Sequence, residues 1–462
     1  MNNKINIFIF RRDLRLFDNI GLINTLENYK NILPIFIGTP EQLDNNEYKS
    51  DFAVQFLCES LCELSDEFKN INKKLYCFFG DNLKILQKLI EEYKVESINF
   101  NKDYTPYAIK RDNDIIKLCD THGVKCNLFD DYLLAPPSNI LTKANTPYKV
   151  YGQFRKKEIE LKIDVPVDVN KNDLNNLLKR KVNIKDFKVY DSIFLKDYYK
   201  ENNNINIHGG RKNAIKILNN MNAFKNYSKE RDNLTYETTN LSAYIKFGCI
   251  SIREVYHAFK NDTLINQLIW RDFYYHILFY FPNNLKNSMK SKFDNFKWIN
   301  NKEQFKNWCD GKTGYPVVDA AMRQLNKIGY MHNRGRLITS NFLTKILICN
   351  WKWGEKYYAQ HLIDYDPAVN NGNWQWSAGT GTDTAPYSQR IFNPWIQSSK
   401  FDPKCIYIKK WIPELKDIPE KDIHNWENSY KKYNLDELKY PKPIVNYKIQ
   451  RELVKKIYKS ID

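Results

Sequence analysis

Between Ile363 and Trp376 the chain reads Ile-Asp-Tyr-Asp-Pro-Ala-Val-Asn-Asn-Gly-Asn-Trp-Gln-Trp, with two Asp, three Asn and two Trp around one Gly. Such a run resists explanation as a surface loop. Asp364 and Asp366 alternate as cation ligands would, but the Gly and Glu of a calcium-binding helix-loop-helix are misplaced, which argues against a metal. A polar ligand pocket fits better. Asn and Asp offer donors and acceptors to a heterocycle, and Trp374 and Trp376 offer stacking surface. The run continues into Ser377-Ala-Gly-Thr-Gly-Thr-Asp383.

Three further clusters have residue types suited to binding. Thr238-Thr239-Asn240-Leu241-Ser242 sets hydroxyls and backbone N–H groups ahead of a helical pattern, which suits phosphate, with Tyr227 and Arg231 close enough to complete the site. A plain helix-capping run is the alternative. Gln267-Leu-Ile-Trp270-Arg271-Asp272-Phe-Tyr274-Tyr-His276 places Trp and Arg on an aromatic helix, where core packing with a snorkelling Arg is the simpler reading. Tyr330-Met-His332-Asn333-Arg334-Gly-Arg336 supplies one His and two Arg, suited to an anionic ligand or a DNA backbone. His332 and His361 lack metalloprotease-like spacing, so no metal site is expected.

The elements that must position these groups differ along the chain. Five short apolar runs, Ile5–Phe10, Ile32–Ile37, Leu75–Phe79, Ser97–Phe100 and Val124–Phe129, alternate with helical patterns. That alternation predicts βαβ units and a doubly wound parallel five-stranded sheet, Rossmann-like in plan. The dinucleotide fingerprint is absent after the first strand. In its place stands Arg11-Arg12-Asp13-Leu14-Arg15-Leu16-Phe17-Asp18-Asn19, which reads either as a functional loop or as a solvated βα loop with local ion pairs and an Asp18/Asn19 helix cap. Pro136-Pro137, Thr146-Pro147 and the polar tract 170–180 mark a connecting segment. From Gly209 onward helical periodicity dominates, so the C-terminal domain is expected to be all-helical. The boundaries are set at 1–131, 132–205 and 206–462.

Composition narrows the partners. All ten Trp lie between Trp270 and Trp426, and residues 1–150 hold 19 Lys/Arg against 21 Asp/Glu, leaving 52 and 33, a net +19, for the rest of the chain. A basic excess of that size suggests a polyanion, nucleic acid before an anionic membrane, although codon bias in a chain rich in Lys, Asn and Ile contributes. No stretch approaches 18 consecutive apolar residues, so no membrane span is expected, and the apolar start is too short for a signal segment. The nine Cys contain no CxxC pair, and Cys58 with Cys62 finds no second pair. Reduced structural thiols in a cytoplasmic protein are the expectation.

With these motifs in place, the chain resembles the photolyase/cryptochrome family over nearly its full length. Arg12-Asp13-Leu14-Arg15…Asp18-Asn19, Lys312-Thr-Gly-Tyr-Pro-Val-Val-Asp-Ala-Ala-Met-Arg-Gln-Leu325, Met331-His-Asn-Arg334 and Asn370-Asn-Gly-Asn-Trp-Gln-Trp376 carry the likeness in order and separation. The type resembled is the class I cyclobutane pyrimidine dimer photolyase. The resemblance implies an α/β antenna domain and a helical domain that binds U-shaped FAD non-covalently. Tyr227 and Thr238, Thr239, Asn240, Leu241 and Ser242 would hold the diphosphate and ribityl region. Arg336 would pair with Asp364 beside the isoalloxazine, with Tyr365 in the same segment, Asp366 would bond its polar edge, and Asn370 would face N5 and favour the reduced form. Trp374, Trp351 and Trp298 match a three-tryptophan electron-transfer chain. Trp270 and Trp376 match aromatic walls for a flipped-out lesion. Asn333 would bond the bases, and Arg231, Arg271, Tyr274, Arg334 and Gln397 would line the DNA side. A second, light-harvesting chromophore (folate, deazaflavin or flavin) would belong to the N-terminal domain, near Asn101–Tyr107 or Glu41–Lys49.

Two positions depart from the class I pattern. Gln267 stands where Glu is usual, and Leu337 where Met is usual. Gln at this place resembles (6-4) photolyases, but those need a His pair at the positions of Asn333 and Leu337, and neither Asn nor Leu can supply a proton. The reading favoured is therefore light-driven splitting of cyclobutane dimers in UV-damaged DNA by a monomer without an obligate protein partner. A (6-4) photolyase and a cryptochrome-like photoreceptor are the alternatives. The chain ends at Asp462 without the long polar tail of many signalling cryptochromes, which favours the enzyme.

Overall fold

The computed structural model describes residues 4–44, 46–382, 384 and 390–460. Asp383, which ends the polar run above, and the first three residues lie outside them. The chain divides into two compact units. The first comprises Met1–Glu201, Ile207–Ala223 and Asn240–Pro282, the second Asn202–Asn206, Phe224–Thr239 and Asn283–Asp462.

The first unit is built on strands β1 (Ile5–Phe10), β2 (Ile32–Gly38), β3 (Tyr76–Phe79), β4 (Val95–Asn101) and β5 (Lys125–Phe129). They pair in parallel in the order β3-β2-β1-β4-β5, as the apolar runs predict. Every residue of β1 and β2 is buried, because helices cover both faces of a doubly wound sheet. Ile7, Ile9, Leu33, Ile35, Ile98 and Phe100 share one core cluster, while Phe10 packs edge-on against Phe68 of the helix Asp51–Asn70. Strand order reverses across β1 and β4, the place where open α/β sheets leave a crevice at the strand ends.

The loop after β1 occupies that end, and it is not solvated. Asn19 does cap the helix Ile20–Asn28, accepting from Leu22 N at 3.1 Å. Asp13, Arg15 and Asp18, however, are 2 %, 2 % and 0 % exposed. Arg15 Nη2 lies 2.7 Å from Asp131 Oδ2, and Arg253 joins Asp131 Oδ1 at 2.7 Å to Asp18 Oδ2 at 2.9 Å. Burial alone would raise the Asp131 carboxyl, but Arg15 and Arg253 outweigh it and hold it below the usual carboxylate range. Gly248 lets this loop approach: its φ is +65°, and a Cβ there would meet the Arg12 carbonyl at 2.1 Å.

The long helix Asp262–Tyr280 belongs to the same unit, clasped by the helix Tyr151–Glu158. Phe154 lies 5.3 Å from Phe273 and 5.0 Å from His276. His276 is 1 % exposed, and burial pushes its imidazole down to about 4.

The second unit has helices and no strand among its described residues. Its core gathers Trp308, Met322, Leu325, Phe342, Trp351 and Trp374. The helix Pro316–Ile328 shows how the sequence sets its limits, with Pro at the first turn and Gly329 at φ +69° closing it. The helix Asn333–Asn341 runs into a π turn at Phe342–Ile346, and Trp351–His361 follows. The Asn- and Gly-rich run, for which no helical periodicity stands out, forms the helix Pro367–Ala378. Asp366 caps it through Ala368 N and Val369 N, Pro367 begins it, and Gly379 at φ +80° ends it, so strong terminal signals outweigh weak interior propensity.

Two expectations follow for stability. Arg253→Ala takes the guanidinium from buried Asp18 and leaves Asp131 with Arg15 alone, so guanidinium denaturation of the full chain should show a loss of about 3–5 kcal/mol in the transition of the first unit. His276 carries no proton in the fold until about pH 4, whereas unfolded His binds one below its ordinary value of 6.5. Stability is therefore full above pH 6.5 and falls by about 1.4 kcal/mol per pH unit as pH drops from there to about 4. Thermal unfolding of His276→Phe across that range should lose most of this acid slope.

Candidate active site

In the second unit, the polar motifs of three separate stretches meet. Arg336, on the helix Asn333–Asn341, donates from Nη2 to both oxygens of Asp364 at 3.1 and 3.0 Å and from Nε to the Met331 carbonyl at 2.9 Å. Burial would lower the guanidinium, yet Asp364 more than compensates and keeps it charged. The Arg336 guanidinium also faces the Tyr330 ring at 5.4 Å, and Tyr330 shares a hydrogen bond of 3.1 Å with Thr238. Tyr227 lies half-buried in the same unit, its phenol pushed up to about 12 by burial. Arg334 pairs with Asp232 at 2.7 Å and covers the Phe401 ring at 4.2 Å. Arg231 stands beside Asp232 in sequence and is half-buried.

The helix Pro367–Ala378 supplies the other groups. Asn370 is 9 % exposed and donates from Nδ2 to the carbonyl and to Oε1 of Glu355, each at 3.0 Å. Its Oδ1 makes no hydrogen bond to the described residues, so the amide presents an acceptor. One turn on, Trp374 packs at 4.9 Å from Tyr358 and 6.1 Å from Trp308. Gly354 makes room for it, since a Cβ there would fall 2.1 Å from Trp374 Cη2. Trp351 is buried in the same cluster, and half-buried Trp298 lies 4.2 Å from Phe296. Tyr365, between the two Asp, packs against this core.

Asn333 is exposed at the start of its helix and Leu337 half-buried one turn later, on the same face. His332 caps that helix with Nδ1 accepting from Arg334 N at 3.1 Å, which leaves the proton on Nε2. Burial pushes its imidazole down to about 4. Trp376 carries the Arg390 guanidinium at 4.7 Å over its ring. Gln397 sits on the helix Pro394–Phe401 with Oε1 buried and without a partner among the described residues.

The remaining expected residues belong to the first unit. Asn240 takes φ +53°, Leu241 is buried and Ser242 is exposed at the start of the helix Ser242–Lys246. That helix has no side-chain cap, so the Thr-Thr-Asn run is not a capping run. Gln267 Nε2 donates to Thr263 O at 3.1 Å, and Tyr274 is buried. Arg271 is turned inward, donating to Tyr132 O and to Asp272 at 3.1 Å and facing the Tyr132 ring at 4.2 Å, so its guanidinium packs inside instead of snorkelling to water. Trp270 stacks on Tyr151.

The groups of the second unit fit a flavin dinucleotide. Its diphosphate calls for donors and its heterocycle for a mixed donor and acceptor edge, which Arg336, Asp366 and Asn370 provide. Asn371 Nδ2 and Trp374 Nε1, on the same helix as Asn370, are buried donors without a partner among the described residues. Sequence reading alone missed Glu355 and Gly354. Their signal is an acid and a glycine on the buried stripe Trp351, Gly354, Glu355, Tyr358, Ala359.

Comparison with known proteins agrees. Residues 264–460 match the family model described as the FAD binding domain of DNA photolyase, so the chain carries a flavin-binding domain. Residues 6–169 match the model described as DNA photolyase. The chain belongs to the DNA photolyase family. Deoxyribodipyrimidine photo-lyase of Buchnera aphidicola from Acyrthosiphon pisum is 35% identical over 98% of this chain and 97% of its own. That of Synechococcus is 33% identical over 98% and 96%. Among solved structures, an archaeal photolyase from Sulfolobus tokodaii with two FAD molecules matches at 37% identity and TM-score 0.86, covering 99% of this chain and 100% of that one. A class III photolyase from Agrobacterium tumefaciens matches at 31% and 0.89, covering 100% and 98%. A Synechocystis cryptochrome matches at 26% and 0.87, covering 99% and 100%. The fold, the family and the FAD domain are those the motifs imply. A class III enzyme matches as well, so overall fold does not single out class I.

Arg336→Ala would remove the guanidinium that faces Asp364, whose side chain is 6% exposed. The purified variant should retain little flavin, with FAD affinity lower by at least roughly tenfold in a fluorescence titration.

Proposed function

We propose that this protein is a light-driven repair enzyme that splits cyclobutane pyrimidine dimers in UV-damaged DNA. The observation that carries this reading is the Asn370 amide, whose donors are committed to Glu355 and whose carbonyl oxygen is left to a ligand. Reduced flavin has an N–H at N5 that the oxidised form lacks, so a fixed acceptor favours the reduced cofactor. When bound and excited by light, reduced FAD would supply reversible one-electron chemistry to a dimer held beside it.

The chain's own residues do the rest. Tyr227 and Thr238–Ser242 hold the diphosphate and ribityl, and Arg336, Asp364 and Asp366 hold the flavin edge. Trp374, Trp351 and Trp298 carry an electron from the surface when the flavin must be reduced. Trp270 and Trp376 wall the flipped-out dinucleotide, at about 1–3 kcal/mol of stacking per base, and Asn333 bonds its edges. Arg231, Arg334 and Gln397 meet the strand. The protein works as a cytoplasmic monomer, with residues 1–131 as the antenna module, 132–205 as connector and 206–462 as the flavin and DNA module. A flavin as second chromophore is supported by the two FAD molecules of the Sulfolobus tokodaii photolyase.

The histidines argue against (6-4) chemistry. Asn333 and Leu337 offer no acid, and His332 is a neutral helix cap. A photoreceptor reading draws support from the cryptochrome match, but the identity there is lower than to the photolyases.

The assay gives photoreduced protein an oligonucleotide with a cyclobutane dimer or a (6-4) product, in blue light and in darkness. Light-dependent reversal of the cyclobutane dimer alone is expected. Repair in darkness, or of neither lesion in light, overturns the proposal.

A further inference from the structure

Trp270 does not stand alone. Its indole lies face to face with the Tyr151 ring, centroids 3.4 Å apart and planes 7° from parallel. Among the described residues no other ring is parallel and close: Phe273 is edge-on at 5.8 Å and Tyr274 tilted at 5.7 Å. The Tyr151 hydroxyl donates to Asn266 Oδ1, which also accepts from Arg155 Nε at 2.8 Å. Asn266 and Trp270 are one turn apart on Asp262–Tyr280, and Tyr151 and Arg155 one turn apart on Tyr151–Glu158. Two helices are thus tied by a hydrogen-bonded rung and a stacked rung.

We infer that Tyr151 is a positioning residue for damage recognition, fixing Trp270 in one rotamer and covering one face so that a single face is left for the lesion. This rests on the reading of Trp270 as a lesion wall. A half-exposed indole on a helix samples several rotamers, and a ligand that stacks on it must first select one. Tyr151 makes that selection before DNA arrives, and preorganisation of one side chain is worth between about twofold and tenfold in affinity. Tyr151 is therefore not in contact with DNA. Its effect reaches the lesion through Trp270, and binding to undamaged DNA, carried by phosphate contacts, is independent of it.

The test is a double-mutant cycle on the FAD-loaded protein, reading Kd for an oligonucleotide with a cyclobutane dimer and for its undamaged counterpart. Tyr151→Ala should weaken damaged-DNA binding about three- to tenfold and leave undamaged binding within about twofold, with Tyr151→Phe restoring most of the loss. In a Trp270→Ala background, Tyr151→Ala should add nothing. Asn266→Ala, which removes the anchor but not the ring, replaces Tyr151→Ala if that variant does not fold, and should give a smaller loss of the same selectivity. The inference is overturned if Trp270→Ala weakens binding while Tyr151→Ala does not, or if the Tyr151→Ala loss persists without Trp270. If Trp270→Ala itself binds damaged DNA as the parent does, the lesion-wall reading fails, and the inference with it.

Discussion

A charge taken into the interior must find its opposite there, and the first unit is organised around that constraint. Arg253 spans Asp18 and Asp131, and Asp131 is shared with Arg15. Each ion would be costly alone, and together they are satisfied only in one arrangement of three chain segments. The end of β1, the segment after β5 and the helix Ile252–Ala258 are fixed to each other by that pairing. Through the last of these, Asp262–Tyr280 and its Trp270 are placed relative to the sheet. The same rule recurs in the second unit, where Arg336 with Asp364 and Arg334 with Asp232 hold the walls of the polar site.

What the sequence made legible follows from the range of the forces. The five strands were readable to within two residues, because buried parallel strands are continuous apolar runs bounded by turns. The polar site was readable because Asn, Asp and Trp crowd into one short stretch. The burial of the Arg11–Asn19 loop was not, since the partners of Arg15 and Asp18 lie 116 and 235 residues away. The helix Pro367–Ala378 was hidden by its own composition, as Asn and Gly weaken the periodic signal and only the caps remain. The orientation of Asn370 was also out of reach, because it depends on Glu355 from a neighbouring helix.

Chemistry at such a site asks for little movement from the protein. An electron transfer with return leaves no proton to be delivered, and the groups present match that. The histidine of the central motif is neutral and engaged as a cap, the amide is held by a buried carboxylate, and the tryptophans are packed. Close packing in the second unit is thus consistent with a cofactor that does the bond-breaking, while the protein's part is to hold, to stack and to keep charges paired.

The interleaving of the two units along the chain has a consequence for biogenesis. The first unit is assembled from three stretches ending at Pro282, and the second begins at Asn202. As the chain leaves the ribosome, the sheet can form early, but Asp18 and Asp131 wait for Arg253 to emerge. A fragment released at residue 131 or 205 would hold those carboxylates with only Arg15 to answer them. Vectorial synthesis therefore cannot finish the first unit before starting the second.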